Sequence, residues 1–114
     1  MAIQTVTMRN YLATEYGVRA THAALYSTIP AGTPGTEISG GTPAYARKPI
    51  PWSTSAASGV TATVTFDVPA GATVAGVGVH SALTAGVYLD GGAVTSQAFA
   101  TQGTYTLTLT YTQS

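Results

Sequence analysis

Val60–Val68 reads VTATVTFDV. Val60, Ala62, Val64, Phe66 and Val68 fall on one side of an extended chain, and Thr61, Thr63, Thr65 and Asp67 fall on the other. Successive side chains of an extended backbone point to opposite sides, so this period of two marks a strand with one buried face. The pattern returns in Thr104–Gln113, where Tyr105, Leu107, Leu109 and Tyr111 alternate with Thr106, Thr108, Thr110 and Thr112. Between the two, Pro69-Ala70-Gly71 predicts a turn. Thr73–Ser81 (TVAGVGVHS) then predicts a strand with Val74, Gly76, Gly78 and His80 on one face. Its two glycines predict the close approach of another backbone or of a Trp or Tyr ring. Ala85–Asp90 is expected as a strand ended by a hairpin at Gly91-Gly92, with Ala93–Ala100 as its partner.

Toward the N-terminus, Ser53–Gly59 is a small polar loop and Ala44–Trp52 an extended segment. Pro49 and Pro51 lack amide donors, which places that segment at a sheet edge or outside the ladder. It closes the stretch Gly35–Trp52, GTEISGGTPAYARKPIPW, which carries Glu37, Arg47, Lys48 and the single tryptophan. Residues 29–52 together read as a long ordered loop and edge segment inside one domain. Thr21–Thr28 reads as a strand. Residues 8–19 form the one helical pattern, with Met8, Leu12 and Tyr16 on one face, Thr7 as cap and Gly17 as an early stop. The alternative for residues 1–20 is an arm that orders on a partner. Short strands with turns every 8–12 residues or so predict an all-β fold, an antiparallel, jelly-roll-like β-sandwich. We expect seven or eight strands and one short N-terminal helix, spanning residues 1–114 as a single domain.

The composition narrows the function classes. The chain is 45% hydrophobic and 7% charged, and four basic residues cancel four acidic ones. Nucleic-acid binding needs a basic footprint on the phosphates, and none is present. With no cysteine there is neither a disulfide nor a thiolate metal site. No run approaches the ~18 apolar residues of a membrane span, and no basic region followed by an apolar run marks a signal peptide. The expectation is a soluble chain made in the cytoplasm. Polarity supplied by Thr, Ser, Gly and Gln suits a surface covered by neighbours in an assembly, and equally a solvated β-surface.

The inventory for catalysis is thin. His22 and His80 are the only histidines, and no short-spaced ligand pair joins them to Asp67 or Asp90. Ser81 and His80 are neighbours on a strand and point to opposite faces, so they form no dyad. Neither glycine pair, 40–41 or 91–92, has the context of a phosphate loop. We expect no enzyme, no cofactor and no metal. For Glu37 and Arg47 three readings stand: a salt bridge pinning the crossing loop, a solvated pair, or a subunit contact. Trp52 reads as a core plug under the loop ahead of a ligand platform. The tyrosines read as core and interface packing ahead of sugar stacking.

These residues also resemble a family. The stretch 35–52, the run VTFDVPAGATVAGVGVHSALTAGVYLDGGAV and the closing strand resemble small structural proteins of tailed bacteriophages, especially of actinobacterial hosts. Their pattern G-x-E-[VI]-S-G-G-x-Y-A-R-x-x-[VI]-x-W is matched by Glu37, Ser39, Gly40, Gly41, Tyr45, Ala46, Arg47, Ile50 and Trp52. An F-x-V-P-A-G element is matched by Phe66, Val68, Pro69, Ala70 and Gly71, and a third by Val79, Ser81 and Ala82. Thr42-Pro43-Ala44 stands where the pattern has one residue, so the loop is expected to be presented differently.

The resemblance implies a non-enzymatic virion protein, made in the host bacterial cytoplasm. Its first version is a capsid decoration or minor capsid protein that binds and stabilises the shell; the second is a tail or tail-fibre subunit. A carbohydrate-binding β-sandwich for host cell wall is the alternative from another class. The expected partners are the major capsid protein or another virion protein and further copies of the chain, with trimers on a capsid threefold as the natural arrangement. No nucleic acid or membrane is expected. Met8, Tyr11, Leu12, Tyr16, Glu37, Tyr45, Arg47 and Trp52 are the candidate interface residues.

Overall fold

The computed structural model describes residues 3–113; residues 1, 2 and 114 of the expected domain lie outside the described ones. The elements run α1 (Val6–Arg19), β1 (His22–Tyr26), β2 (Lys48–Pro49), β3 (Gly59–Val68), β4 (Thr73–His80), β5 (Tyr88–Ala98) and β6 (Gly103–Thr112). The alternation that opened the reading is realised in β3, where the five apolar residues from Val60 to Val68 are buried and Thr61, Thr63 and Thr65 are exposed. β3 pairs antiparallel with β6 without a break, from Gly59 opposite Thr112 to Val68 opposite Gly103. The other sheet has the order β2-β1-β4-β5, and all its pairs are antiparallel. The fold is therefore an all-β sandwich of a four-stranded and a two-stranded sheet with one helix, as the sequence predicts.

The core lies between the sheets. Ala62, Val64, Phe66 and Val68 of β3 and Leu107 of β6 meet Ala23 and Leu25 of β1 and Val74, Val77 and Val79 of β4. Ile38 and Ile50 from the crossing segment close it. The segment runs to the edge strand β2, where Pro49 lies opposite His22, so its prolines interrupt no central ladder.

Four local expectations are corrected. Among the described residues there are six strands, because no hairpin forms at Gly91-Gly92 and β5 passes through both glycines. Gly91 lies opposite Gly78, and a Cβ on it would stand 2.5 Å from Tyr88 Oη and 2.7 Å from Val77 O. This glycine provides room, not a turn. The alternation of β4 is broken by a register shift between Val74 and Gly76, so that Val74 enters the core together with Val77 and Val79. The helix begins earlier than predicted, because Thr5, not Thr7, is its cap: Thr5 Oγ1 accepts from Met8 N at 3.3 Å. Nor does Gly17 stop the helix. It stays helical and lies where a Cβ would touch the Trp52 ring at 3.1 Å.

The outer face of the four-stranded sheet carries a second, smaller cluster. A Cβ on Gly78 would meet Tyr26 Cε2 and Oη at 2.6 Å, and one on Gly76 would run into Pro30 Cδ. The expected close approach is thus made by a tyrosine, with a proline beside it. Tyr26, His80 and Tyr88 pack ring on ring, their centroids 5.6 to 6.5 Å apart. Gly78→Ala therefore forces Tyr26 aside and is expected to cost about 1–3 kcal/mol in urea unfolding. Gly92→Ala meets nothing within 4 Å and is expected to stay within about 0.5 kcal/mol of the parent. A turn glycine at position 92 would give a clear loss instead.

Candidate functional site

The long crossing segment is held by one polar cluster. Arg47 faces Glu37 side-on, with Nε 3.0 Å from Oε2 and Nη2 2.9 Å from Oε1. Its remaining nitrogen, Nη1, donates to the carbonyls of Ala82 at 3.2 Å and Ala85 at 2.9 Å. Tyr45 Oη donates to Glu37 Oε2 at 2.8 Å and accepts from Leu25 N at 2.9 Å. Glu37 itself makes a backbone bridge to Tyr26. The start of the crossing, its end, β1 and the loop after β4 are thereby fastened at one point. Of the three readings open for this pair, the structure shows the pin. The side chains are 13% and 29% exposed, which separates it from a solvated surface pair.

The electrostatics follow from that geometry. Burial alone would raise the Glu37 carboxyl, but hydrogen bonds from Arg47 and Tyr45 outweigh it and hold the group below its ordinary value. The bond to Glu37 keeps Arg47 protonated more firmly than usual. Burial pushes the Tyr45 hydroxyl up, and Tyr26 is pushed up to about 12, first by burial and then by the Glu37 charge. Tyr26 Oη is hydrogen-bonded directly to His80 Nε2. His80 is lowered, first by burial and then by the Arg47 charge.

The remaining candidates divide into two groups. Tyr16 and Trp52 face inward. The Tyr16 ring stacks on Tyr111 at 3.8 Å, and its hydroxyl donates to Asp90 Oδ2 at 3.0 Å. Trp52 packs edge-on to Tyr16 and donates from Nε1 to Ala20 O at 2.8 Å, plugging the gap between α1 and the core. Met8, Tyr11 and Leu12 face outward, at 48%, 66% and 37% exposure, with Val18 at 63% beside them. The helix docks by its small side: Ala13 is fully buried, Gly17 lies on Trp52, and Asn10 Oδ1 accepts from Ser58 N. Tyr16 lies on one helical stripe with Met8 and Leu12, as expected, but at its inner end, where its ring packs on the body while theirs face outward. Two features were missed in the sequence, the Tyr26–His80–Tyr88 cluster and the Tyr16–Asp90 bond. The glycines at 76, 78 and 91 are the available signal for the first.

Chemically the site is spent on itself. The hollow beside the pin, about 490 Å³, is lined by Glu37, Tyr45, Arg47 and Leu83, and its charges already face each other. Ser81 Oγ accepts from Val87 N, while His80 turns to Tyr26. Among the described residues no group of three or more His, Asp or Glu is gathered to hold a metal. Every charged residue has an intramolecular partner: Arg9 on backbone carbonyls, Arg19 on Glu15, Lys48 near Asp67, Asp90 under Tyr16.

Arg47→Ala strands a half-buried carboxylate and frees two carbonyls; we expect a loss of about 2–4 kcal/mol in chemical denaturation. Arg47→Lys should recover less than half of it, because an ammonium cannot supply the planar fork. Both His80 and Glu37 titrate lower in the folded chain than in the unfolded one, so each stabilises at neutral pH and loses its contribution on acidification. The melting temperature should begin to fall below pH 6.5, the ordinary histidine value, and fall again below 4.5, the ordinary glutamate value. His80→Gln should remove the upper step and keep the lower.

A scan of protein-family models finds no match, and searches of curated proteins and of solved structures find none either.

Proposed function

We propose that this chain is a structural component of a tailed-bacteriophage particle, a capsid decoration or minor capsid protein that docks on the shell through the outward face of α1. The observation that carries this reading is the inverted placement of the helix. It buries Ala13, sets Gly17 on the Trp52 ring, and leaves Met8, Tyr11, Leu12 and Val18 to solvent. A helix of a free-standing domain turns its apolar stripe to the core, and exposed apolar patches mark interaction sites. Pairing of every charge inside the chain supports an apolar contact over an electrostatic one. The resemblance of residues 35–52 and of the strands after them to phage structural proteins supports the setting. On a lattice, weak single contacts become collectively strong.

A tail or tail-fibre subunit uses the same chemistry and is the second reading. A glycan platform has weaker support, because Tyr16, Tyr26, Tyr45 and Tyr88 are engaged within the molecule. The test is copy number per purified particle by quantitative mass spectrometry. A simple lattice fraction of the major capsid protein fits decoration, a few copies to a few tens fit the tail, and absence overturns the proposal. Tyr11→Asp with Leu12→Asp should leave the melting temperature unchanged and reduce the particle-bound fraction at least tenfold.

A further inference from the structure

Thr104–Thr112 reads TYTLTLTYT, the same in both directions about Thr108. This stretch is β6, and its only ladder is with β3, so its far edge pairs with no strand among the described residues. An open strand edge is a template for another chain, and proteins that stay single blunt such edges with charge, proline or a bulge. β6 has none of these: it carries no charged residue and no proline, and its ten pairs to β3 run without a register shift. β5, the other long edge, is treated differently. It carries Asp90 and two register shifts against β4.

We propose that β6 pairs with β6 of a second copy, antiparallel, about a twofold axis at Thr108. In that register Thr108 faces its own copy, Leu107 faces Leu109 of the second copy, and Tyr105 faces Tyr111 of the second copy. Like meets like along the whole seam, as an isologous contact requires, and no like charges are opposed. The two-stranded β3–β6 sheet becomes one half of a four-stranded one with the two β6 strands at its centre, and a lone two-stranded ribbon is marginal in water. Leu109, Tyr105 and Tyr111 point to the inner side but are only half-buried; the second copy supplies the missing neighbours. The outer face becomes one continuous array of threonines, extending the Thr61–Thr110 and Thr65–Thr106 contacts already present. A nine-residue seam is ~30 Å long, which places the pair in the small, reversible class of interfaces. This inference is independent of the virion reading.

Sedimentation equilibrium of the full chain over roughly 1–500 μM is expected to show a monomer–dimer equilibrium. Thr108 is exposed, so Thr108→Lys and Thr108→Glu should keep the parent's melting temperature. Each alone sets like charges across the axis and should weaken the dimer at least tenfold; mixed one to one, they should restore it. As a second measurement, Thr108→Cys under mild oxidation should give a disulfide-linked dimer. A chain monomeric throughout, a trimer, a dimer indifferent to both charges, or one lost with Leu12→Asp instead overturns the proposal.

Discussion

The bidentate contact between Arg47 and Glu37 governs how the rest of the molecule is arranged. Between β1 and β2 the chain runs from Ser27 to Arg47 with no strand of its own. Apart from a short backbone bridge, in which Ile38 N donates to Leu25 O and Ser27 N to Thr36 O, such a segment is fixed by side chains. One guanidinium does this from three directions, holding a carboxylate beside β1 and two carbonyls of the loop after β4. The carboxylate in turn orders Tyr45, whose ring lies along Phe66 at 6.2 Å and joins the pin to the core. The polar network and the apolar core therefore constrain each other: loss of either loosens the crossing that carries Ile38 and Ile50 inward.

Much of this was legible in the sequence, for identifiable reasons. β3 and β6 face water on one side and the core on the other, so each writes its burial directly as alternation of threonine with apolar residues. The edge position of β2 followed from its proline. β4 and β5 were harder, because both faces of the central strand are covered and a register shift resets its phase. A glycine pair in β5 carries the same letters as a turn although it serves as floor space. Of the candidate site residues, Glu37, Arg47 and Trp52 were legible as a group because charges and tryptophan are scarce here. Tyr16 was misplaced because helical periodicity shows which residues share a face, not which face meets the body. That choice goes with Ala13, which is small enough to be fully buried, and Gly17, whose missing side chain admits Trp52.

Low charge and an exposed helix stripe belong to one economy of surface. Each ionised group is paired within the chain, and apart from such exposed pairs as Glu15 and Arg19 the outside is largely threonine hydroxyls, glycine backbone and a few large apolar side chains. Such a surface has little long-range attraction or repulsion. Its contacts are decided at short range by shape and by hydrogen-bond geometry.

The irregularity at the start of β5 has a consequence for how this chain tolerates changes in length. His80 is opposite Tyr88 and Val79 opposite Asp90, so Leu89 is an extra residue in the ladder. Flanking it, Tyr88 reaches the outer cluster and Asp90 reaches Tyr16 on the other side of the sheet. Removing Leu89 would leave Tyr88 and Asp90 adjacent in a regular strand, still opposite His80 and Val79 and still on opposite faces, so both attachments would survive. The loop from Ser81 to Val87 can also vary in length, as far as Arg47 still finds the carbonyls of Ala82 and Ala85. The loss of a single residue is thus absorbed on either side of Tyr88, in the loop because it lies outside the ladder and at Leu89 because it is surplus to it.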